Sequence, residues 1–228
     1  MSRPPSRLDW LAVLRSSAMT LAGHGWPVLR GTYRDGDGVW RGRADAVGLR
    51  PIDDDWSAGW TVRSAQVANW WNAEPYSVLV ACGHGVDCIE LPGPSGHRMV
   101  SRLAESGHRP PAMVTPVGTL VLFVRTPARP LPTLASVSLR SAGSWVAVPP
   151  TEQLAGPVED GYRWVSGSAP GNAGWEVPEL MAVYDVIAST ARQQITATVP
   201  VIASQRPKHN GHGQPGRHPP IRGRFDSP

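Results

Sequence analysis

Two groups of side chains in this sequence carry the donor atoms of a metal site. Cys82, His84 and Cys88 form a Cys-x-His-x3-Cys group, and thiolate sulfur and imidazole nitrogen are ligands that zinc prefers. No fourth ligand is obvious, so we favour the alternative of two buried thiols and a histidine in a turn. Asp53-Asp54-Asp55 could bind a cation, but a solvated acidic loop is our expectation there.

Arginine and histidine side chains offer a second chemistry, the binding of phosphate. The Arg140 guanidinium could hold an oxyanion through two parallel hydrogen bonds, and an ion pair with a neighbouring acid is the equally weighted alternative. His209, His212 and His218 could bind metal or nucleic acid weakly. A solubilising extension is the default interpretation of the segment that contains them.

The balance of charge argues against a strongly basic body. The 228 residues include 22 Lys+Arg and 18 Asp+Glu, a formal charge of +4 that at first suggests a nucleic-acid binder. Residues 206–228 hold five of the basic residues and one acid, which leaves 17 of each sign in residues 1–205. The body is therefore neutral and lacks the single-sign field that binding to a phosphate backbone usually needs.

Composition excludes several classes of enzyme. The single lysine, Lys208, lies in the basic C-terminal segment, so the body has neither a phosphate-binding loop ending in Gly-Lys-Ser/Thr nor a Schiff-base lysine. Gly-x-Ser-x-Gly, His-Glu-x-x-His and Cys-x-x-Cys motifs are absent from the sequence. Their absence argues against serine hydrolase, zinc protease and dithiol chemistry.

The sequence also predicts a location. The longest uncharged stretch, Pro110–Val124, is 15 residues long and broken by prolines, whereas a bilayer span needs about 18 to 20 apolar residues. Arg15 interrupts the apolar run near the N-terminus, so we expect no secretory signal. Two cysteines cannot make a disulfide scaffold and fit a reducing compartment. We therefore expect a cytoplasmic protein with no membrane span.

Hydrophobic periodicity predicts the elements that would position these side chains. Helices are expected over about 9–22, from Ser64 as N-cap to Pro75, over 94–105 and over 179–195. Residues 31–59 should form a long ordered loop or irregular subdomain. Strands are expected at 27–29, 77–82, 86–91, 112–115, 119–126, 135–140, 144–148 and 162–165. We expect 77–82 and 86–91, joined by Gly83-His84-Gly85, to form the centre of the sheet.

The order of these elements predicts an α+β domain with a mixed sheet rather than a doubly wound parallel sheet. We expect a single domain over 8–195 and a disordered tail, rich in Pro, Gly, His and Arg, over 204–228. The ten tryptophans should mostly be core or loop anchors, with base stacking as the alternative.

Three sequence blocks then indicate a family. Trp70-Trp71 leads through Pro75 into the strand that ends at Cys82-Gly83, and Thr115-Pro-Val-Gly118 opens the strand that ends near Phe123. The third block is the most specific: Val137-Ser-Leu-Arg140, Gly143-Ser-Trp-Val-Ala-Val-Pro-Pro-Thr151, then Tyr162-Arg-Trp164. In this order the blocks resemble the N-terminal domain of bifunctional primase-polymerases, in the archaeo-eukaryotic primase superfamily. The resemblance covers about residues 10–187 and implies a primase-polymerase-like mixed sheet with flanking helices.

The resemblance also shows which family positions have changed. The family holds divalent ions with an Asp-x-Asp pair at the end of the second strand, where this chain has Glu90-Leu-Pro92. The family's nucleotide-contacting histidine corresponds to Leu120, and its third carboxylate corresponds to Ser138. Of the motif residues compared, Arg140 alone is retained.

These matches define the candidate site residues. The resemblance leaves Glu90 as a degenerate catalytic residue, Asp87 and Glu90 as metal ligands, and Thr115, Gly118 and Arg140 as nucleotide-binding residues. Asp87 lies three residues before Glu90 and therefore on the opposite face of an extended strand, so it cannot simply replace the missing carboxylate.

The resemblance and the losses together predict a function. We expect a catalytically degenerate primase-polymerase-like protein that binds a nucleotide, a nucleic acid or a replication partner. The alternative is an active DNA primase/polymerase that uses magnesium or manganese held by Glu90 and other carboxylates, with Glu159 or Asp160 as candidates. A structural partner of a helicase is a third possibility, because the chain lacks the fused helicase that often accompanies this domain.

Overall fold

Helices and antiparallel sheets alternate in the part of the chain that the structure describes. The computed structural model describes residues 7–72, 74–128, 137–151 and 161–198. Within these ranges five helices and three antiparallel sheets make an α+β fold, which confirms the predicted fold class. The predicted tail, 204–228, lies outside the described residues, and the domain limits of 8–195 stay a prediction.

The four expected helices are present, three of them with ends within three residues of those predicted, whereas the helix expected from Ser64 to Pro75 ends at Trp70, well before the predicted end. They are α1 (Arg7–Gly23), α3 (Ser64–Trp70), α4 (Gly93–Glu105) and α5 (Leu180–Thr198), and a short α2 (Trp56–Gly59) precedes α3. The prediction that Ser64 caps α3 is wrong. Arg63 holds the N-cap position, and the Ser64 hydroxyl instead donates to the Met19 carbonyl at 3.2 Å, which ties α3 to α1.

Eight strands form the two larger sheets. The three-stranded sheet has the order β1 (Val28–Gly31), β4 (Ser77–Ala81), β9 (Trp145–Ala147). The five-stranded sheet has the order β10 (Arg163–Trp164), β6 (Ala112–Val114), β7 (Leu120–Arg125), β5 (Val86–Leu91), β8 (Ser138–Arg140). The strands expected from sequence are all present. The strand β8 begins at Ser138, since Val137 is not part of it, and residues 135 and 136 of the predicted strand lie outside the described part.

The strands β4 and β5 do not pair with each other, which corrects the expectation that they form one sheet centre. Each is an interior strand of its own sheet. Gly83 and Gly85, with φ of +89° and +97°, turn the chain between the two sheets. A Cβ at Gly83 would come within 2.5 Å of Ala142 Cα, so this crossing packs directly against the turn that follows β8.

Alternation along the strands creates three hydrophobic layers. The two sheets face each other across a cluster that includes Val80, Cys88 and Phe123, with α1 and Trp71 closing it. The outer face of the five-stranded sheet packs against α4 and α5. The outer face of the three-stranded sheet is covered by half-buried side chains, among them Trp56 and Trp60. All ten tryptophans are buried or half-buried, in agreement with the expected anchoring role.

The irregular segment between β1 and α3 is ordered by ion pairs. It contains the hairpin β2 (Tyr33–Arg34) and β3 (Trp40–Arg41) as well as α2. Arg41 pairs with Asp35 at 2.6 Å and holds the pKa of that carboxyl below its usual value.

In the described ranges, no helix combines the length and the apolar composition that a bilayer crossing requires.

Candidate functional site

A cavity of about 330 Å³ opens where the two larger sheets meet. It lies at the end of β5 and is bounded by β8, β9 and the turn after β6. Its lining residues are Glu90, Thr115, Arg140, Gly143, Ser144, Trp145, Val146, Ala147 and Tyr162. Three of the residues singled out from the sequence, Glu90, Thr115 and Arg140, are therefore brought together.

Glu90 and Arg140 form an ion pair at this cavity. Alternation along β5 places Glu90 on the face that Cys88 shares, and Arg140 lies opposite Cys88 in the register of β5 and β8. The Arg140 Nε donates to Glu90 Oε1 at 3.0 Å. The Glu90 side chain is 20% exposed and the Arg140 side chain 47%. Arg140 therefore forms the ion pair with a neighbouring acid that was one of its two predicted roles. It also lines the cavity, where the other predicted role, phosphate binding, would take place.

The turn after β6 supports the cavity through its backbone. The Thr115 carbonyl accepts a hydrogen bond from Gly118 N at 2.9 Å, and the Thr115 hydroxyl oxygen accepts one from Thr119 N at 3.1 Å. Gly118 has φ +81° and does not line the cavity. A Cβ at Gly93 would collide with the Gly118 carbonyl, so the turn sits against the start of α4. Gly118 therefore shapes the turn that presents Thr115.

Asp87 lies away from the cavity and has a full set of hydrogen-bond donors. Its carboxylate is completely buried and accepts from Gly83 N at 2.7 Å, Thr126 Oγ1 at 2.9 Å and Ser141 Oγ at 2.8 Å. These contacts join the β4–β5 crossing to the ends of β7 and β8. The structure does not bring Asp87 and Glu90 together at one site.

Comparison with known proteins decides the family. The model of the bifunctional DNA primase/polymerase N-terminal family, Prim-Pol, matches residues 18–180, more than half of the chain. The chain belongs to the Prim-Pol family. None of the curated proteins searched matches it. The resemblance read from the three sequence blocks is confirmed.

The three positions at which the resemblance implies a lost family residue lie near the ends of β5, β7 and β8, and none of them lines the cavity. Pro92 is the N-cap residue of α4. Leu120 is 1% exposed and packs in the cluster beneath α4 and α5. Ser138 is exposed and lies directly opposite Glu90 in the β5–β8 register. A carboxylate at 138 would therefore stand beside Glu90, where this chain has a hydroxyl.

The cavity residues do not fit a pair of divalent ions. Two ions about 4 Å apart need several carboxylate ligands to balance their charge. Glu90 is the one carboxylate among the described lining residues, and it is already paired with Arg140. Across the described ranges, no three His, Cys, Asp or Glu side chains are grouped so that they could hold a metal ion. Glu159 and Asp160 lie outside the described residues.

The Cys-x-His-x3-Cys group is split between the core and the surface. The Cys82 and Cys88 sulfurs are 3.9 Å apart and completely buried. Burial, with the neighbouring Cys82 thiol, raises the pKa of the Cys88 thiol well above its usual value. The His84 ring packs on Trp60 at 4.4 Å between centroids. This arrangement corresponds to the expected pair of buried thiols with a turn histidine.

The acidic run is neutralised by arginines of the irregular segment. Asp53 pairs with Arg30 at 3.0 Å, and Asp54 pairs with Arg43 at 2.7 Å. Asp55 accepts a hydrogen bond from the Ser57 hydroxyl. The run is largely exposed, as expected of a solvated acidic loop, with the Asp54 side chain 89% exposed, and its ion pairs tie it to the irregular segment.

Sequence reasoning did not assign two aromatic residues of the cavity. Trp145 and Tyr162 are half-buried and line it together with Gly143 and Ser144. Both lie in the third sequence block, which identified the family without indicating that its parts converge. The strand pairing of Trp145 with Ala81 and the entry of Tyr162 into β10 bring them to the cavity. The presence of both residues in the third sequence block was the one sequence signal that could have indicated them.

Proposed function

We propose that this Prim-Pol protein is a catalytically degenerate member of its family that binds a nucleotide or nucleic acid at the cavity between the sheets. The family assignment supports an interaction with nucleotides or nucleic acids. The degeneracy is inferred from the side chains at the cavity. We further propose that it acts in the cytoplasm beside a replication protein such as a helicase.

The Glu90–Arg140 ion pair is the observation that carries the proposal. A carboxylate that binds catalytic ions must offer its lone pairs to them, but Glu90 Oε1 accepts from the Arg140 guanidinium at 3.0 Å. The guanidinium would also repel a divalent ion at the same place. Phosphoryl transfer in two-metal enzymes relies on the ions to position and neutralise the phosphates. The Glu90–Arg140 ion pair is therefore unfavourable for two-metal phosphoryl transfer but leaves a cavity in which a ligand can bind.

The chemical lining of the cavity supports binding. It combines the charged Arg140, the polar Thr115, and the aromatic residues Trp145 and Tyr162. Ligand pockets typically combine apolar walls with a few polar groups that fix orientation, and their volumes begin near 300 Å³. A single nucleotide unit suits a cavity of this volume and composition.

A polymerase assay tests the degeneracy. We expect primer synthesis and primer extension on single-stranded DNA with manganese to stay at the level of the Glu90→Ala variant. Glu105→Ala, an exposed carboxylate at the end of α4, is the matched control. Robust extension that Glu90→Ala abolishes and Glu105→Ala retains would establish the alternative, an active primase/polymerase with magnesium or manganese at Glu90.

Thermal-shift titration tests the binding function. A ligand that prefers the folded state raises the melting temperature, so nucleoside mono- and triphosphates are each titrated with and without manganese. We expect at least one nucleotide to raise it. If no nucleotide changes the melting temperature, the result would favour a protein-interaction function instead.

A further inference from the structure

We propose that the cavity recognises one phosphate group, carried beside an aromatic base, without a divalent cation, and that Arg140 provides the positive charge. This inference rests on the proposed binding function and names its ligand class. The shared chemistry occurs in a free nucleoside monophosphate and in a nucleotide unit of a single strand, and the test below separates the two.

The pairing of the two charged side chains at the cavity disfavours a divalent cation there. Glu90 and Arg140 are the charged side chains among the described lining residues, and their charges cancel. A divalent cation would have to approach a carboxylate that already has a cationic partner 3.0 Å away. A phosphate instead meets the guanidinium, which is the geometry that arginine uses for oxyanions.

Arg140 retains donors for that phosphate. Only its Nε is used in the bond to Glu90, and the described residues provide no hydrogen-bond acceptor for Nη1 or Nη2. The side chain is 47% exposed, so these terminal groups are accessible from solvent. Glu90 therefore holds the guanidinium from one side and leaves its fork for a ligand.

The turn beside Arg140 leaves room for a close approach. Gly143 has φ +81°, and among the described residues no heavy atom other than those of its chain neighbours lies within 4 Å of a Cβ built at its position. The Ser144 backbone and side chain are engaged with the Ser141 carbonyl, which fixes the turn. A ligand can thus reach this wall of the cavity without displacing a side chain.

Two aromatic side chains provide a place for the base. Trp145 and Tyr162 line the same cavity as Arg140 and are half-buried. Stacking of a base on an aromatic ring tolerates different bases, because every base has a π-face. A cavity of about 330 Å³ accepts one such unit rather than a duplex.

The Glu90 carboxylate should weaken the binding of a phosphate at Arg140. The carboxylate and the bound phosphate are like charges on one guanidinium, so removing the carboxylate charge should strengthen binding. Glu90→Gln keeps a carbonyl oxygen for Arg140 Nε and removes the charge. A metal ligand would respond in the opposite direction, because its loss weakens the binding of the metal and of the phosphates that it holds.

The experiment is calorimetric titration of the full chain with dAMP in EDTA, repeated with manganese. We expect binding in EDTA that manganese does not enhance, an affinity about three- to tenfold higher in Glu90→Gln, and about tenfold or more lower in Arg140→Lys. Arg125→Lys and Glu179→Gln are the matched controls. Those two residues form another 3.0 Å ion pair, outside this cavity, and should leave the affinity unchanged.

Other outcomes have distinct meanings. Binding that requires manganese and weakens in Glu90→Gln would overturn the metal-free inference while the binding function stands. No heat from dAMP or from a short single-stranded oligonucleotide, with or without manganese, would overturn the binding function itself. Binding of the oligonucleotide alone, with the same responses to Glu90→Gln and Arg140→Lys, would support the inference and assign the phosphate to a strand.

Discussion

The buried carboxylate of Asp87 illustrates how a residue singled out for metal binding can serve the fold. It collects three donors from the β4–β5 crossing, the end of β7 and the turn after β8. Because Ser141 follows Arg140 directly, this carboxylate also steadies the strand end that carries the cavity guanidinium. Asp87 thus stabilises the chain segments next to the cavity and does not itself contact a ligand there.

Removing this carboxylate should be costly. Asp87→Ala leaves three part-buried donors without their acceptor, so we expect the free energy of unfolding to fall by about 3 kcal/mol. Thr126→Val removes one of the donors and should cost about 1 kcal/mol. Urea unfolding measures both. If the two variants lost equal stability, or if Asp87→Ala gained stability as expected for a metal ligand relieved of repulsion, the structural role would be wrong.

The two cysteines should be unreactive in the folded protein. The thiolate is the reactive form, and burial raises the pKa of Cys88 well above its usual value while both side chains are shielded from solvent. We expect no reaction with a thiol-specific chromophoric disulfide at pH 8 until denaturant unfolds the chain, and then two equivalents. Rapid labelling of the folded protein, or a rise in melting temperature with zinc, would contradict this arrangement.

At the scale of elements, the sequence predicted the strands better than their partners. Alternation and β-branched residues located β4 and β5 to within one residue, because those signals are local. Their partners, β1 and β9 for β4 and β7 and β8 for β5, are mostly distant in sequence, and local patterns do not encode such pairings. The same limit explains why Trp145 and Tyr162 were not assigned to the cavity.

The β5–β8 register and the start of α4 suggest how to restore a cation site. Pro92 is at an N-cap, where aspartate is favoured, and Ser138 lies opposite Glu90. Pro92→Asp combined with Ser138→Asp places three carboxylates at one end of β5. We expect this double variant to bind manganese, measured by calorimetry, and the matched Pro92→Asn/Ser138→Asn variant not to bind it. Equal manganese binding by the two double variants would show that positions 92 and 138 do not lie close enough to Glu90 to form one site.

At the scale of the whole molecule, the charge distribution separates two contributions to nucleic-acid binding. Residues 1–205 are neutral and residues 206–228 carry the net charge of +4. Truncation after Ser204 should remove most of the salt-dependent affinity for single-stranded DNA, because that dependence reflects the number of phosphates neutralised. The slope of log K against log salt measures it. An unchanged slope would place the binding charge in an arginine patch of the body.

Whether the cavity holds a metal centre is tested by a manganese titration of the wild-type protein followed by electron paramagnetic resonance of the free ion. We expect the free-ion signal to rise as in buffer and to be the same for Glu90→Ala, because Arg140 already neutralises the one described carboxylate at the cavity. Loss of about two equivalents of free manganese, restored by Glu90→Ala, would show a working two-metal centre and rule out a metal-free cavity.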